Sequence, residues 1–179
     1  ARRILFLLSQ AIYYDSAEKE KYIHKKNPKV FPNFAIMNIS WFEIKPYENE
    51  LPTNYADRIG RLYTDTVTAT FKKSNGQFFT PVSIAYFMGK QINTDKDSVS
   101  VLDPGCGTAI LSCAVIENLV LQSKVKRIEL VTYETDENLI PGLQKVLEYI
   151  TIWGMRHNVR IDCRSYCEDF ILSNYSVLY

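Results

Sequence analysis

The stretch VSVLDPGCGTA at residues 99–109 decides the fold that we predict for this chain. Its apolar beginning predicts a buried strand, and the proline and two glycines that follow predict a tight turn. The apolar segment at 110–122 then predicts a helix. A glycine-rich turn between a strand and a helix lets backbone N–H groups approach a ligand and aims the helix N-terminus at negative charge. Gly105-x-Gly107 alone is weak evidence, because a turn without a ligand can share the pattern.

The chain beyond this turn alternates between strand and helix patterns, as parallel sheets require. RIELVTYE at 127–134 predicts a second strand, and VRIDC at 159–163 predicts a third. Between them we predict a helix that ends at about His157 and has Pro141 in its first turn, where a missing N–H is harmless. The pattern therefore predicts an α/β fold.

The first 52 residues have a different character. Residues 1–26 predict a helix that becomes charged at its end, and the proline-punctuated stretch after it could be a strand or irregular. We expect residues 1–52 to form a mainly helical segment of unknown role. A further helix is predicted to begin with Thr53 or Asn54 as its cap and to run to about Lys73.

The composition excludes several classes of function. Lys plus Arg (21) nearly balance Asp plus Glu (20), so the charge gives no signature of nucleic-acid binding. The four cysteines and two histidines show no metal-ligand spacing, so we expect no metal, reduced thiols and a cytoplasmic location. The apolar run at residues 4–8 is too short for a signal peptide or a membrane span.

Two further features point to a ligand at the glycine-rich turn. Glu134 would follow the second strand beside the turn, where a carboxylate can accept both hydrogen bonds of a ribose diol. Asp136 is expected mainly to cap the next helix. Upstream, in GQFFTP at 76–81, Thr80 is a good N-cap and Pro81 a good first helical residue.

Four ordered motifs, GQFFTP, VLDPGCGTAILS, YETDENL and EDF, together resemble the amino-methylating adenine DNA methyltransferases. The resemblance is strongest to the large restriction-modification type that fuses cleavage with methylation, and it extends from about Tyr55 to Tyr179. It implies a Rossmann-like doubly wound sheet, S-adenosylmethionine as cofactor, and methyl transfer to the exocyclic amino group of adenine in double-stranded DNA. Residues 53–179 would then be the N-terminal part of a methyltransferase domain.

The resemblance also implies a role for each motif residue. Thr80 and Pro81 would lie by the methionine end of the cofactor, and Asp103 with the backbone of residues 104–108 would form the cofactor turn. Glu134 would hold the ribose hydroxyls. Asp169 would hydrogen-bond the adenine amino group of the cofactor, and Phe170 would pack against the adenine ring. The predicted cofactor contacts are Phe79, Thr80, Pro81, Asp103, Pro104, Gly105, Cys106, Gly107, Thr108, Glu134, Asp169 and Phe170.

Two departures from the family pattern stand out. The family usually has glycine where this chain has Ala109, and a methyl group there could narrow the turn. No Pro-Pro occurs in the 179 residues, so the Asn/Asp-Pro-Pro-aromatic motif that presents the flipped base is not in this sequence. We therefore assign no catalytic residue, and expect this chain to be a cofactor-binding part that is inactive alone and meets DNA through segments outside it.

Three alternatives remain open at this stage. A nicotinamide-dependent dehydrogenase shares the glycines and the acidic residue, but its fingerprint requires a third glycine where Ala109 stands. A non-catalytic methyltransferase-like module would lack the Pro-Pro motif altogether. A nuclease site could use the Glu43-x-Lys45 pattern, although its partner aspartate is not evident and Asp15 is distant.

Overall fold

The computed structural model describes residues 4–6, 41–68, 70–71 and 77–175. Within these residues, four strands form one parallel sheet in the order β1-β2-β3-β4. The strands are β1 (Ile4–Phe6), β2 (Ser98–Asp103), β3 (Arg127–Tyr133) and β4 (Arg160–Tyr166). The helices are a 3-10 turn (Trp41–Glu43), α1 (Pro52–Thr66), α2 (Val82–Lys90), α3 (Ile110–Gln122), α4 (Ile140–Arg156) and the short α5 (Phe170–Ser173).

The register of the sheet brings the ends of three strands to one edge. Asp103 at the end of β2 pairs with Thr132 of β3, and Tyr133 at the end of β3 pairs with Tyr166 of β4. The backbone N–H of Glu134 also donates to the Tyr166 carbonyl at 3.0 Å. Because the strands are parallel, the segments that follow them all emerge at this carboxyl edge.

Helix α3 is the centre of the core. Every residue from Ile110 to Glu117 is buried, because the helix is covered by the sheet, α1 and α2 together. Gly89 permits α2 to pack closely, since a Cβ at this position would lie 2.7 Å from the Ala114 carbonyl oxygen. Both crossovers step in the same direction along the sheet, so right-handed connections put α3 and α4 on one face.

The α/β fold class with a parallel sheet is confirmed. Helix α3 has the predicted bounds, β2 and β3 match their predicted strands, and α4 ends one residue before His157. Strand β4 begins at Arg160 and continues to Tyr166, three residues beyond the predicted end. The extension pairs with β3 through its whole length, which the short apolar pattern of the sequence does not reveal.

Two predictions about helices were wrong. Residues 4–6 form a strand paired with β2, so the predicted helix over 1–26 fails there, and the remainder of that prediction lies outside the described residues. Helix α1 ends at Thr66, where the backbone of Val67 becomes extended, and not at about Lys73; residues 69 and 72–76 of the predicted stretch lie outside the described residues.

The predicted helix caps also differ. Helix α1 begins at Pro52, and Thr53 is already inside its first turn, where its N–H donates to the Glu117 carboxylate at 2.5 Å. The cap therefore comes from α3, a distant part of the chain. For α2 the N-cap is Pro81 instead of Thr80, and no side chain caps it.

Candidate functional site

The turn after β2 has the backbone that its small residues predict. Gly107 has a positive φ of 55°, and Ala109, the N-cap of α3, has a φ of 61°. The turn is tied to the neighbouring strand by a hydrogen bond from the Cys106 N–H to the Tyr133 carbonyl at 2.9 Å. Ala109 is fully buried in a left-handed conformation, which disfavours every residue with a Cβ and explains why glycine suits this position.

Asp103 lies inside the core at the end of β2. It is fully buried and accepts a hydrogen bond from the Ser112 hydroxyl at 2.6 Å. The bond connects the strand to the first turn of α3 and so holds the two ends of the glycine-rich turn in place. Its predicted membership of the cofactor turn stays a prediction.

Glu134 lies directly against this turn. One carboxylate oxygen, Oε2, accepts the Gly107 N–H at 2.8 Å, and the other, Oε1, accepts the N–H groups of Thr135 and Asp136 at 2.8 and 2.9 Å. Burial raises the pKa of Glu134 above its ordinary value of 4.5, while these three N–H groups oppose that shift. The structure thus joins the two motifs that the sequence places 27 residues apart.

The segment before α2 forms the second wall of the turn. The Phe79 ring lies 3.6 Å from the point that a Gly107 Cβ would occupy and 3.2 Å from the corresponding point at Gly60 of α1. Phe79 and Thr80 line a small cleft of about 60 Å³, together with Asp57, Gly60, Arg61, Thr64, Thr108 and Ile110. Pro81 follows at the exposed start of α2, and Phe78 is 63% exposed.

The cleft contains a polar atom that lacks a partner within the protein. Thr108 is 1% exposed, and its hydroxyl oxygen makes no hydrogen bond among the described residues. Leaving a buried hydroxyl unpaired is unfavourable, so this atom fits a bound ligand that would supply the missing partner. The residues around the turn therefore fit a small polar cofactor.

Asp169 and Phe170 lie at the same sheet edge, one strand further along. The Asp169 carboxylate accepts the Leu172 N–H at 3.0 Å as the N-cap of α5. The Phe170 ring contacts Tyr133 edge-on at 5.1 Å, and Tyr133 in turn stacks on Tyr166 at 4.9 Å. Tyr133 immediately precedes Glu134, so the aromatic contact connects both motifs. Sequence reasoning assigned no role to Tyr133 or Tyr166.

Asp136 does not cap α4 as expected. The N-cap of that helix is Leu139, without a side-chain cap. Asp136 instead accepts hydrogen bonds from Asn138, from the Tyr63 hydroxyl and from the Gln77 side-chain amide. Sequence reasoning missed Tyr63 and Gln77 because their partner is more than 50 residues away.

The cysteines and the other residues considered as metal ligands form no recognisable site among the described residues. Cys106 and Cys113 are buried free thiols, and burial raises the pKa of both above the ordinary value. In the described ranges, no group of three or more His, Cys, Asp or Glu residues could hold a metal. Of the residues considered for a nuclease site, Glu43 is exposed and Asp15 lies outside the described residues. Among the described helices, none is both long and apolar enough to cross a bilayer.

Comparison with known proteins gives consistent matches. Residues 55–141 match the family model for N-6 DNA methylase. The chain is 31% identical over 90 residues to the type II methyltransferase M.AccI of Acinetobacter calcoaceticus, covering 50% of this chain and 16% of the relative. It is 33% identical over 101 residues to M.BsuBI of Bacillus subtilis, covering 56% and 19%. M.PstI of Providencia stuartii is 26% identical over 131 residues, covering 69% and 26%. The aligned part thus spans about a quarter or less of these relatives.

Proposed function

We propose that this chain, whose residues 55–141 match the family model for N-6 DNA methylase, binds S-adenosylmethionine as the cofactor part of a DNA adenine methyltransferase. The observation that carries the proposal is the hydrogen bond between the Gly107 N–H and the Glu134 carboxylate. It brings a glycine-rich turn and an acidic strand end together at the carboxyl edge of a parallel sheet, where nucleotide-like ligands bind in such folds.

Each part of the site would hold one part of the cofactor. Glu134 would accept the ribose hydroxyls, with the Gly107 N–H keeping its carboxylate oriented. Thr108 and Thr80 line the cleft at the N-terminus of α3, which suits the methionine end because helix N-termini favour carboxylates. Asp169 and Phe170 would receive the adenine ring.

The cofactor supplies an electrophilic methyl group bound to a sulfonium. This chain would bind and orient it, and a direct displacement then depends mainly on alignment with the target amino group. That alignment needs the Asn/Asp-Pro-Pro-aromatic motif, which the 179 residues do not contain. We therefore infer that the chain alone transfers no methyl group, and that double-stranded DNA is engaged by other segments of the complete protein. Its cytoplasmic location stays a prediction.

Binding and activity measurements test the proposal. We expect the complete protein to bind S-adenosylmethionine in isothermal titration calorimetry and not to bind NAD under the same conditions. It should also transfer tritiated methyl groups to adenine in duplex DNA, whereas this chain alone should not. Binding of NAD in preference would favour a dehydrogenase, and methyl transfer by the isolated chain would contradict the assignment of catalysis to the Pro-Pro motif.

The sequence of the complete protein distinguishes an active methyltransferase from a non-catalytic methyltransferase-like module. A continuation that contains an Asn/Asp-Pro-Pro-aromatic sequence after Tyr179 supports an active enzyme. A continuation without that sequence, combined with cofactor binding but no methyl transfer, would instead indicate a methyltransferase-like binding module.

A further inference from the structure

Asp136 is a meeting point for three separate parts of the chain. Its Oδ2 accepts hydrogen bonds from the Tyr63 hydroxyl of α1 and from Nε2 of Gln77. Its Oδ1 accepts from the backbone N–H and the side-chain amide of Asn138 at 3.0 and 3.1 Å. All four groups donate to the carboxylate, so both oxygens act purely as acceptors.

Together with the bonds of Glu134, these bonds form a closed ring of contacts around the glycine-rich turn, which we call the circuit; it consists of Gly107, Glu134, Asp136, Gln77 and Phe79. The Gly107 N–H donates to Glu134, and the other oxygen of Glu134 accepts the Asp136 N–H at 2.9 Å. The Asp136 side chain then holds Gln77. Two residues beyond Gln77, the Phe79 ring lies against Gly107. Both walls of the turn are therefore connected to each other through Asp136.

Tyr63 braces this circuit against α1. Its side chain is 1% exposed, and its ring lies 5.3 Å from Trp41 and 6.1 Å from Phe79 between centroids. Burial and the hydrogen bond to Asp136 raise the pKa of the Tyr63 hydroxyl to about 12, so it remains a donor throughout the neutral range. Removing only this hydroxyl would leave the ring packing in place.

The hydrogen bond to Asp136 sets the orientation of the Gln77 side-chain amide. Its Oε1 is buried and makes no hydrogen bond among the described residues, whereas its Nε2 donates to Asp136. A buried amide oxygen without a partner is unfavourable, and exchanging the two amide atoms would put two acceptors together at Asp136. The bond to the carboxylate therefore determines how the 77–81 segment enters the site.

We propose that Tyr63, Gln77 and Asp136 are positioning residues, which hold Phe79 and Glu134 on either side of Gly107 before the cofactor arrives. This inference rests on the proposed function, since it concerns affinity for S-adenosylmethionine. Preorganisation of this kind strengthens binding because the ligand no longer has to order the segment itself. None of the three needs to touch the cofactor.

Tyr63→Phe and Asp136→Asn in the complete protein test the proposal, with Glu137→Gln as a matched control in the exposed part of the same loop. Asparagine keeps the size of Asp136 but turns an NH₂ toward one of its donor pairs. We expect Asp136→Asn to raise the dissociation constant and KM for S-adenosylmethionine about tenfold, as loss of one hydrogen bond to a charged group implies. Tyr63→Phe should raise both several-fold.

The split between kcat and KM separates positioning from a general loss of structure. At temperatures well below each variant's melting point, kcat at saturating cofactor should stay within about twofold of the control, because chemistry is unaffected once the site is filled. A Tyr63→Phe protein with unchanged cofactor affinity, or with only a lowered melting temperature, would overturn the positioning role and leave the proposed function intact. Failure of the unmodified protein to bind S-adenosylmethionine would overturn the proposed function itself.

Discussion

Replacing Glu134 by glutamine keeps the size of the side chain but removes its charge and one acceptor oxygen, so this variant tests the binding role of the carboxylate. In the structure Oε1 accepts two backbone N–H groups and Oε2 accepts a third, from Gly107. An amide has a single oxygen, so the glutamine would best keep the two donors at Oε1 and turn its NH₂ toward Gly107. The turn would then face a donor where it now has an acceptor.

The magnitude follows from the number of bonds lost. Removing one partner of a hydrogen bond to a charged group typically costs about 1.5–3 kcal/mol, which corresponds to a roughly tenfold to hundredfold weaker affinity. We expect Glu134→Gln to weaken binding of S-adenosylmethionine by this factor, and Glu134→Ala by at least as much. In the alanine variant, water can replace the lost partner of the exposed Thr135 N–H. The Gly107 N–H is only partly exposed and would be covered by the proposed cofactor, so its lost partner is harder to replace.

Isothermal titration calorimetry from pH 5 to pH 8 provides the assay. Because the pKa of Glu134 is raised, its carboxylate becomes protonated at a pH above the ordinary 4.5. A protonated carboxyl accepts fewer hydrogen bonds, so the affinity of the unmodified protein for S-adenosylmethionine should fall as the pH decreases from 8 toward 5. The glutamine variant has no such group, so its affinity should show a flatter pH dependence.

A cofactor analogue without the ribose 2′-hydroxyl supplies the decisive comparison. The unmodified protein should bind S-adenosylhomocysteine more tightly than its 2′-deoxy form, and this preference should largely disappear in Glu134→Gln, as in a double-mutant cycle. An unchanged preference would show that Glu134 only organises the turn and does not bind the ribose. An affinity within threefold of the unmodified protein would refute the expected loss of binding.

Two further predictions concern the fold. Gly89→Ala should lower the free energy of unfolding by about 1–3 kcal/mol, measured by denaturation, because its Cβ would lie 2.7 Å from the Ala114 carbonyl oxygen and push α2 from α3; Ser83→Ala in the exposed part of α2 is the control. Glu117→Ala should cost about 2–3 kcal/mol, since the buried Thr53 N–H loses its acceptor. Burial raises the pKa of Glu117, so the folded state holds the Glu117 proton more tightly than the unfolded state does, and the free energy of unfolding should fall as the pH rises above about 4.5. Glu117→Gln should remove this pH dependence. A glutamine variant with the same pH dependence as the unmodified protein would contradict the assignment.

The order of elements from residue 98 onward could be predicted because its signals are local. Apolar strands, a Pro-Gly turn and a proline in the first turn of α4 each appear within a few residues of sequence. The same locality explains why Glu134 was identified correctly as a neighbour of the turn: parallel strands that are consecutive in the chain end at the same edge. The contact with Gly107 needs only that rule.

The errors came from interactions between distant residues. The first turn of α1 receives its acceptor from Glu117, 64 residues further along, so no cap residue next to the helix was needed. The strand at residues 4–6 forms by pairing with β2, although its own pattern suggested a helix. Short apolar segments are ambiguous in this way because tertiary pairing overrides local preference.

The sequence alone determined the parallel α/β architecture, the glycine-rich turn and the acidic strand end, since each depends on periodicity and on residues close together in the chain. Only the tertiary structure decided that Tyr63 and Gln77 both donate to Asp136, 73 and 59 residues away. Hydrogen bonds between side chains depend on distances of a few ångströms that packing of separate elements creates, and no spacing in the sequence encodes them.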